Sequence, residues 1–248
     1  MVYIVLGMHK SGTTMLSEIL HKSGINMGDF DESINYYEGQ KYEREDISHA
    51  IWDVLDCRDL HSLDTFPPFN EAVVERELPT LVSLVDKYNG EYASWGFKEP
   101  RSLFVYEKIK PSLGNHKVIC VYRNLKDVVL HYLQFAGTDF KSAFKVIRAW
   151  KLYNEEMLRV IRHNEENTEL MLCNYGSFVA EPNSVDVLST FVGQKLVDVR
   201  KPRTRKRKKT LHRVHQLLTK AILFFNFYDW KSVDRDIKQM KRKVATRA

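Results

Sequence analysis

The chain reads as a single α/β domain, a central parallel β-sheet flanked by helices, with a basic helical extension at its C-terminal end. Three observations lead there. Short apolar runs at Val2 to Leu6, Ala93 to Phe97, Lys117 to Tyr122 and Glu169 to Cys173 are the length of buried strands rather than of helices. Segments of helical period separate these runs, so successive strands join through crossovers and lie parallel. A chain of 248 residues with 44% hydrophobic and 12% aromatic content can bury one full core.

The first strand leads into Gly7-Met8-His9-Lys10-Ser11-Gly12-Thr13-Thr14, and a helix follows with Met15, Ile19 and Leu20 on one face. A strand, a loop with a glycine at each end and a helix N-terminus make an anion site. The loop N–H groups and the positive end of the helix dipole point at whatever the loop holds. Lys10 adds a full charge, and Thr13 and Thr14 add hydroxyl donors. In a nucleotide-triphosphate P-loop the lysine comes directly after the second glycine. Here Gly7 and Gly12 keep that spacing, but Thr13 follows Gly12 and the lysine falls earlier, at Lys10.

The next segments set the frame for this loop. A polar amphipathic stretch runs from about Gly39 to Leu55, an irregular connection covers 58–70, and a helix is expected from Glu71 to Tyr88. Pro79 lies inside that helix and predicts a kink or a break into two pieces, and Asn89-Gly90 predicts its end. The second strand delivers Lys98-Glu99-Pro100-Arg101, two cations off the carboxyl end of a parallel strand, where anionic ligands bind in open sheets. The third delivers Arg123, which is able to hold a phosphate bidentately. A long helix from Phe140 to His163 carries Phe144, Ile147, Trp150, Tyr153, Met157, Val160 and Ile161 on its apolar face.

Together these stretches resemble the sulfotransferase family, and the variant Gly-Met-His-Lys-Ser-Gly-Thr-Thr-Met-Leu looks especially like its bacterial branch. Lys98-Glu99-Pro100-Arg101 is similar to the family's Lys-Asp-Pro motif, with Glu99 in place of Asp. Arg123-Asn124-Leu125-Lys126-Asp127-Val128 is similar to its 3′-phosphate motif, with Leu125 for the usual proline and His131 where a phosphate-binding serine stands. The resemblance covers roughly residues 1–195 and implies a P-loop-like sulfotransferase fold. It implies 3′-phosphoadenosine 5′-phosphosulfate (PAPS) as the sulfonate donor, with no metal.

The roles it implies are these. The loop residues His9, Lys10, Ser11, Gly12, Thr13 and Thr14 would bind the 5′-phosphosulfate. Lys98 would meet the sulfonate, and Arg123 with His131 would hold the 3′-phosphate. Several families of this fold place the acceptor's general base in the region of Asn35 to Ile47. Glu43 fits the aromatic-Glu-x-x-Ile pattern there, Glu38 is the alternative by distance from the loop, and His9 is a second candidate base. Asn174-Tyr175-Gly176-Ser177-Phe178 matches a family segment that lacks its acidic pair here, so it is read as structural.

Charge divides the chain at about residue 200. Residues 200–248 hold 17 Lys/Arg against 3 Asp/Glu, a net of +14, and the first 199 residues are net −8. The chain therefore divides into a sulfotransferase-like domain, 1–199, and a basic segment, 200–248, whose helices pack on the same domain. Eight of the ten residues 200–209 are basic. In related enzymes such a segment closes over the donor's 3′-phosphate. No aromatic residue interleaves with the run, which argues against nucleic acid as a partner. No apolar run approaches a membrane span, no signal-peptide pattern opens the chain, and Cys57, Cys120 and Cys173 lack metal spacing. These features point to a cytoplasmic protein. The acceptor is a hydroxyl (or amine) carried by a carbohydrate, lipid, peptide or small metabolite, and its identity and the oligomeric state stay open. Two rival readings stand beside this one: a P-loop small-molecule kinase using Mg-ATP, and a non-catalytic binder of anionic polymers through the basic segment.

Overall fold

A computed structural model describes residues 1–29, 42–135, 140–164, 169–200, 209–225 and 229–245. Four parallel strands, β1 (Val2–Leu6), β2 (Trp95–Phe97), β3 (His116–Tyr122) and β4 (Leu170–Asn174), form one sheet in the order β2-β1-β3-β4. Register runs Val2 opposite Trp95 on one side of β1 and Val2 opposite His116 on the other, with Val118 opposite Leu170 between β3 and β4. β1 therefore sits inside the sheet, and the chain winds from it toward β2 on one side and through β3 to β4 on the other. The crevice between the carboxyl ends of β1 and β3 is the topological switch point, where open parallel sheets bind ligands.

Both faces of the sheet are buried, as an all-parallel sheet requires. Alternation assigns the residues to each face. Val2, Ile4, Leu6, Val118, Cys120 and Tyr122 face one apolar core, and Tyr3, Val5, Ile119 and Val121 face the other. The second core is closed by α1 (Thr13–Lys22), through Leu16, Ile19 and Leu20, and by α8 (Ser184–Val192), through Val185, Leu188 and Val192. The larger core collects α2 (Glu45–Val54), α3 (Glu71–Glu91), α4 (Tyr106–Ile109), α5 (Leu125–Phe135) and α6 (Phe140–His163). Between β4 and α8 lies the short α7 (Tyr175–Ala180).

The C-terminal segment contributes α9 (Lys209–Phe225) and α10 (Trp230–Ala245). Ile222, Val233, Ile237 and Met240 from these helices belong to the larger core, with α9 against α5 and α6, and α10 against α6 and β4. Among the described residues, no helix is long and apolar enough to cross a membrane.

Two local expectations are corrected. Pro79 does not break its helix: α3 runs unbroken from Glu71 to Glu91. Its face of Val74, Leu81, Val85 and Tyr88 is buried, and this packing outweighs the one backbone bond that a proline removes. Asn89-Gly90 likewise falls in the last turn of α3 rather than beyond it, with the Asn89 side chain tied to Trp95 Nε1 and the Ser112 carbonyl.

Candidate active site

The loop after β1 is held tight by its own backbone. Ser11 donates both its N–H (3.2 Å) and its hydroxyl (2.6 Å) to the Met8 carbonyl, so Ser11 closes the loop and has neither donor left for a ligand. Lys10 takes φ +63° and Gly12 φ +106°, two left-handed residues that turn the chain into α1. A Cβ on Gly12 would lie 2.0 Å from the Tyr175 ring, and one on Gly7 would lie 2.6 Å from the Val121 carbonyl oxygen. Only glycines allow the loop to lie this close to β3 and α7. α1 begins at Thr13, with Gly12 as its N-cap, no side-chain cap and no acidic residue in its first turn, so no carboxylate there offsets the positive end of its dipole. Thr13 is buried and Thr14 half-buried at that end.

Side chains from the ends of β2 and β3 complete the surroundings. Lys98 Nζ donates to Glu43 Oε1, and both side chains are nearly buried, at 3% and 11% exposure. Partial desolvation, then the Lys98 charge, holds the Lys10 ammonium below the ordinary lysine range, and Glu43 pulls the other way. Lys10, Lys98 and Glu43 thus form one interacting group drawn from three separate parts of the sequence. At the end of β3, Arg123 Nη1 donates to the Lys10 carbonyl (2.9 Å), its guanidinium lies 4.9 Å from the Tyr175 ring centre, and its own carbonyl accepts from Trp150 Nε1 (2.9 Å). Arg123 therefore bridges the two sides of the switch point. His131 sits further along α5, half-buried, with its ring edge-on to Tyr132 at 6.5 Å.

His9 lies behind this group. Its Nε2 is buried with no hydrogen-bond partner, and its ring is 6.5 Å from Tyr153. Burial first, then the charges of Arg101, Lys98 and Lys10 and the His61 ring, push its pKa well below the usual histidine value. Such an imidazole is a poor proton acceptor. Glu99, beside Lys98, is fully enclosed: it accepts from Trp52 Nε1 (3.2 Å) and the Arg101 backbone N–H, with Arg101 Nη1 at 3.7 Å. Burial, reinforced by the Glu43 charge, raises its carboxyl to about 7. Arg101 turns inward to the Leu60 carbonyl (2.8 Å) and over Trp52.

The structure therefore gathers His9, Lys10, Gly12, Thr13, Thr14, Glu43, Lys98 and Arg123 around the loop, while Glu38 lies outside the described residues. Of the basic run, 201–208 also lies outside them. Arg200 is bound to Asp198 and to the carbonyls of Phe178, Glu181 and Pro182, so its charge serves the α7–α8 junction. Sequence reasoning missed two neighbours. Tyr175 belongs to a segment read as structural, and it packs on Gly12 and under Arg123. Arg44 beside Glu43 is buried, and no motif marks it. A cleft of about 380 Å³ opens elsewhere, lined by Gly28, Asp29, Arg44, Glu45, Asp46, His49 and Tyr88. Its three carboxylates make it unsuited to an anion.

An uncapped helix N-terminus, a glycine-edged loop and converging cations at the switch point of a parallel sheet define an enzyme of the P-loop-like transfer class. Residues 3–185 match the model of the sulfotransferase family, and the chain belongs to that family. Two solved structures share the fold. The sulfotransferase domain of the Synechococcus PCC 7002 olefin synthase is 15% identical with a TM-score of 0.52, covering 98% of this chain and 94% of its own. The sulfotransferase domain from the curacin biosynthetic pathway is 15% identical with a TM-score of 0.50, covering 77% of this chain and 73% of its own. No curated protein matches the chain by sequence. The protein is a sulfotransferase, which implies a sulfonate donor and an acceptor substrate.

Proposed function

We propose that this sulfotransferase uses PAPS as its donor and passes the sulfonate in line to a hydroxyl or amine of an acceptor, with Glu43 as the base. The observation that carries the reading is the convergence of Lys10, Lys98 and Arg123 on one loop whose glycines leave no room for a Cβ. That donor set fits a 5′-phosphosulfate. The N–H groups at the start of α1, the Thr13 and Thr14 hydroxyls and Lys10 would hold it, and Arg123, with His131 further along α5, would hold a 3′-phosphate.

Sulfonyl transfer, like phosphoryl transfer, asks mainly for positioning and for stabilised charge on the oxygens. Lys98, at the carboxyl end of β2 beside the loop strand, would meet a sulfonate oxygen in this reading. Glu43 takes the acceptor proton in this reading, supported by its carboxylate meeting Lys98, the residue read as the sulfonate contact. His9, short of proton affinity, supports the loop instead. Three buried cysteines that form no disulfide suit a reducing, cytoplasmic compartment. We treat 200–248 as part of the same unit as 1–199. The acceptor class stays as broad as the family allows: carbohydrate, lipid, peptide or small metabolite.

Calorimetric titration with 3′-phosphoadenosine 5′-phosphate, against ATP with Mg²⁺, tests the donor. The bisphosphate is expected to bind tightly without Mg²⁺ and to lose about 10- to 100-fold in affinity in Arg123→Ala, the scale of a charge-assisted contact. A preference for Mg-ATP, or indifference to Arg123, would return the loop to a kinase reading.

A further inference from the structure

Glu43 leads into α2, and its carboxylate has to meet Lys98 on a different element. The chain on either side of it shows how it is held. Tyr42 before it takes φ +60° and is 3% exposed, with its ring 5.4 Å from that of His21. Arg44 after it, the N-cap residue of α2, is extended and 6% exposed, and its carbonyl accepts the Ser48 N–H at 2.8 Å.

The Arg44 guanidinium does not reach solvent as a surface arginine would. Its Nε donates to the Gly96 carbonyl of β2 (3.2 Å), and its Nη2 donates to the Asn26 carbonyl (3.2 Å) and to Asn26 Oδ1 (2.5 Å). Three rings surround it, with its Cζ 4.1 Å from the Tyr88 centre, 5.4 Å from Tyr92 and 5.5 Å from Trp95. A planar guanidinium can stack on aromatic faces while its several N–H groups donate at its edge, which a lysine ammonium does not match. Gly96 itself is confined, since a Cβ there would lie 2.3 Å from the Tyr3 carbonyl oxygen, so the acceptor it offers Arg44 is fixed by the sheet.

The register is informative. Arg44 is bonded to Gly96 and its neighbour Glu43 to Lys98, so two adjacent side chains grip two positions at the carboxyl end of β2. We infer that Arg44 is a positioning residue: clamped to β2 and Asn26 inside its aromatic box, it sets the Glu43 carboxylate against Lys98. This inference rests on the reading of Glu43 and Lys98 as site residues. Arg44 itself touches neither substrate nor reacting atoms.

The test uses the full chain and needs no acceptor. Acetic anhydride labelling, read by peptide mass spectrometry, compares Lys98 with exposed Lys87 and with half-buried Lys117. In Arg44→Met, Lys98 is expected to label about tenfold faster relative to Lys87, with Lys117 unchanged. Glu43→Gln should give a similar rise, and Arg44→Met added to Glu43→Gln should add nothing, because Arg44 acts through Glu43. Unchanged Lys98 labelling, a parallel rise at Lys117, or full additivity of the two substitutions would overturn the inference. Should Arg44→Met fail to fold, Tyr88→Leu and Asn26→Ala loosen the clamp with Arg44 in place, and the same rise at Lys98 is expected. Titration of the wild-type chain with 3′-phosphoadenosine 5′-phosphate reports on the donor reading separately, so failure of one is distinguishable from failure of the other.

Discussion

Lys98 Nζ and Glu43 Oε1 are hydrogen-bonded across 55 residues of sequence, and both side chains are almost closed to solvent. Breaking a buried pair from one side leaves an uncompensated charge, whereas removing both partners is far cheaper. Lys98→Met is therefore expected to lose about 3–5 kcal/mol of stability, and Lys98→Met with Glu43→Gln to recover most of it. Urea denaturation of the two single variants and the double variant measures this. Equal losses in Lys98→Met and in the double variant would show that the pair does not act as a unit.

Gly12 makes a sharper case. Its φ of +106° disfavours any side chain, and a Cβ would enter the Tyr175 ring. Gly12→Ala should lose more than about 1–3 kcal/mol and all measurable bisphosphate affinity. Relieving only the steric part, Tyr175→Ala in the same chain should restore some stability while the backbone strain remains. Thermal melts and calorimetry on the three variants separate the two contributions.

Glu99 predicts a pH dependence. Burial first, then the Glu43 charge, raises its carboxyl from 4.5 to about 7. Between those values the folded state keeps a proton that the unfolded state has released. Stability contributed by this group is therefore full below about pH 4.5, falls as pH rises and levels off above about 7. The swing is on the order of 3 kcal/mol. Glu99→Gln should flatten this part of the urea-denaturation profile between pH 4.5 and 7. A slope identical to wild type would mean that Glu99 is ionised in the folded protein throughout.

Arg200 separates structural from ligand-binding cations in the basic segment. Its guanidinium caps the carbonyls of Phe178, Glu181 and Pro182 at 2.7–2.8 Å. Arg200→Ala should lower stability by about 1–3 kcal/mol and leave bisphosphate affinity unchanged. A loss of affinity without a loss of stability would make Arg200 a donor contact instead.

Much of this site was legible because its chemistry is local. Gly7 to Thr14 encodes strand, loop and helix start within one contiguous stretch, and α1 begins at Thr13 as the periodicity predicts. Lys98 and Arg123 were legible because each follows an apolar strand, and a parallel sheet brings strand ends to one edge. That both donors of Ser11 turn back to the Met8 carbonyl was not legible, since nothing in its position marks this. Tyr175 was missed because its work is to fill the space beside Gly12, and filling a space leaves no motif. Pro79 predicted a kink or a break, and the packing of α3 keeps the helix in one piece.

The sequence by itself determined the parallel α/β fold, the glycine-edged loop and the cations at the ends of β2 and β3, because short-range periodicity and residue chemistry suffice for these. Only the tertiary structure decided which groups meet. It paired Glu43 with Lys98, buried Arg101 against Trp52, turned Arg200 onto α7 and placed Arg44 in a box of Tyr88, Tyr92 and Trp95. The physical reason is the same in each case. A charged side chain taken out of water must find its partner wherever the fold brings one, and contacts between residues distant in the chain leave no periodic trace in the sequence.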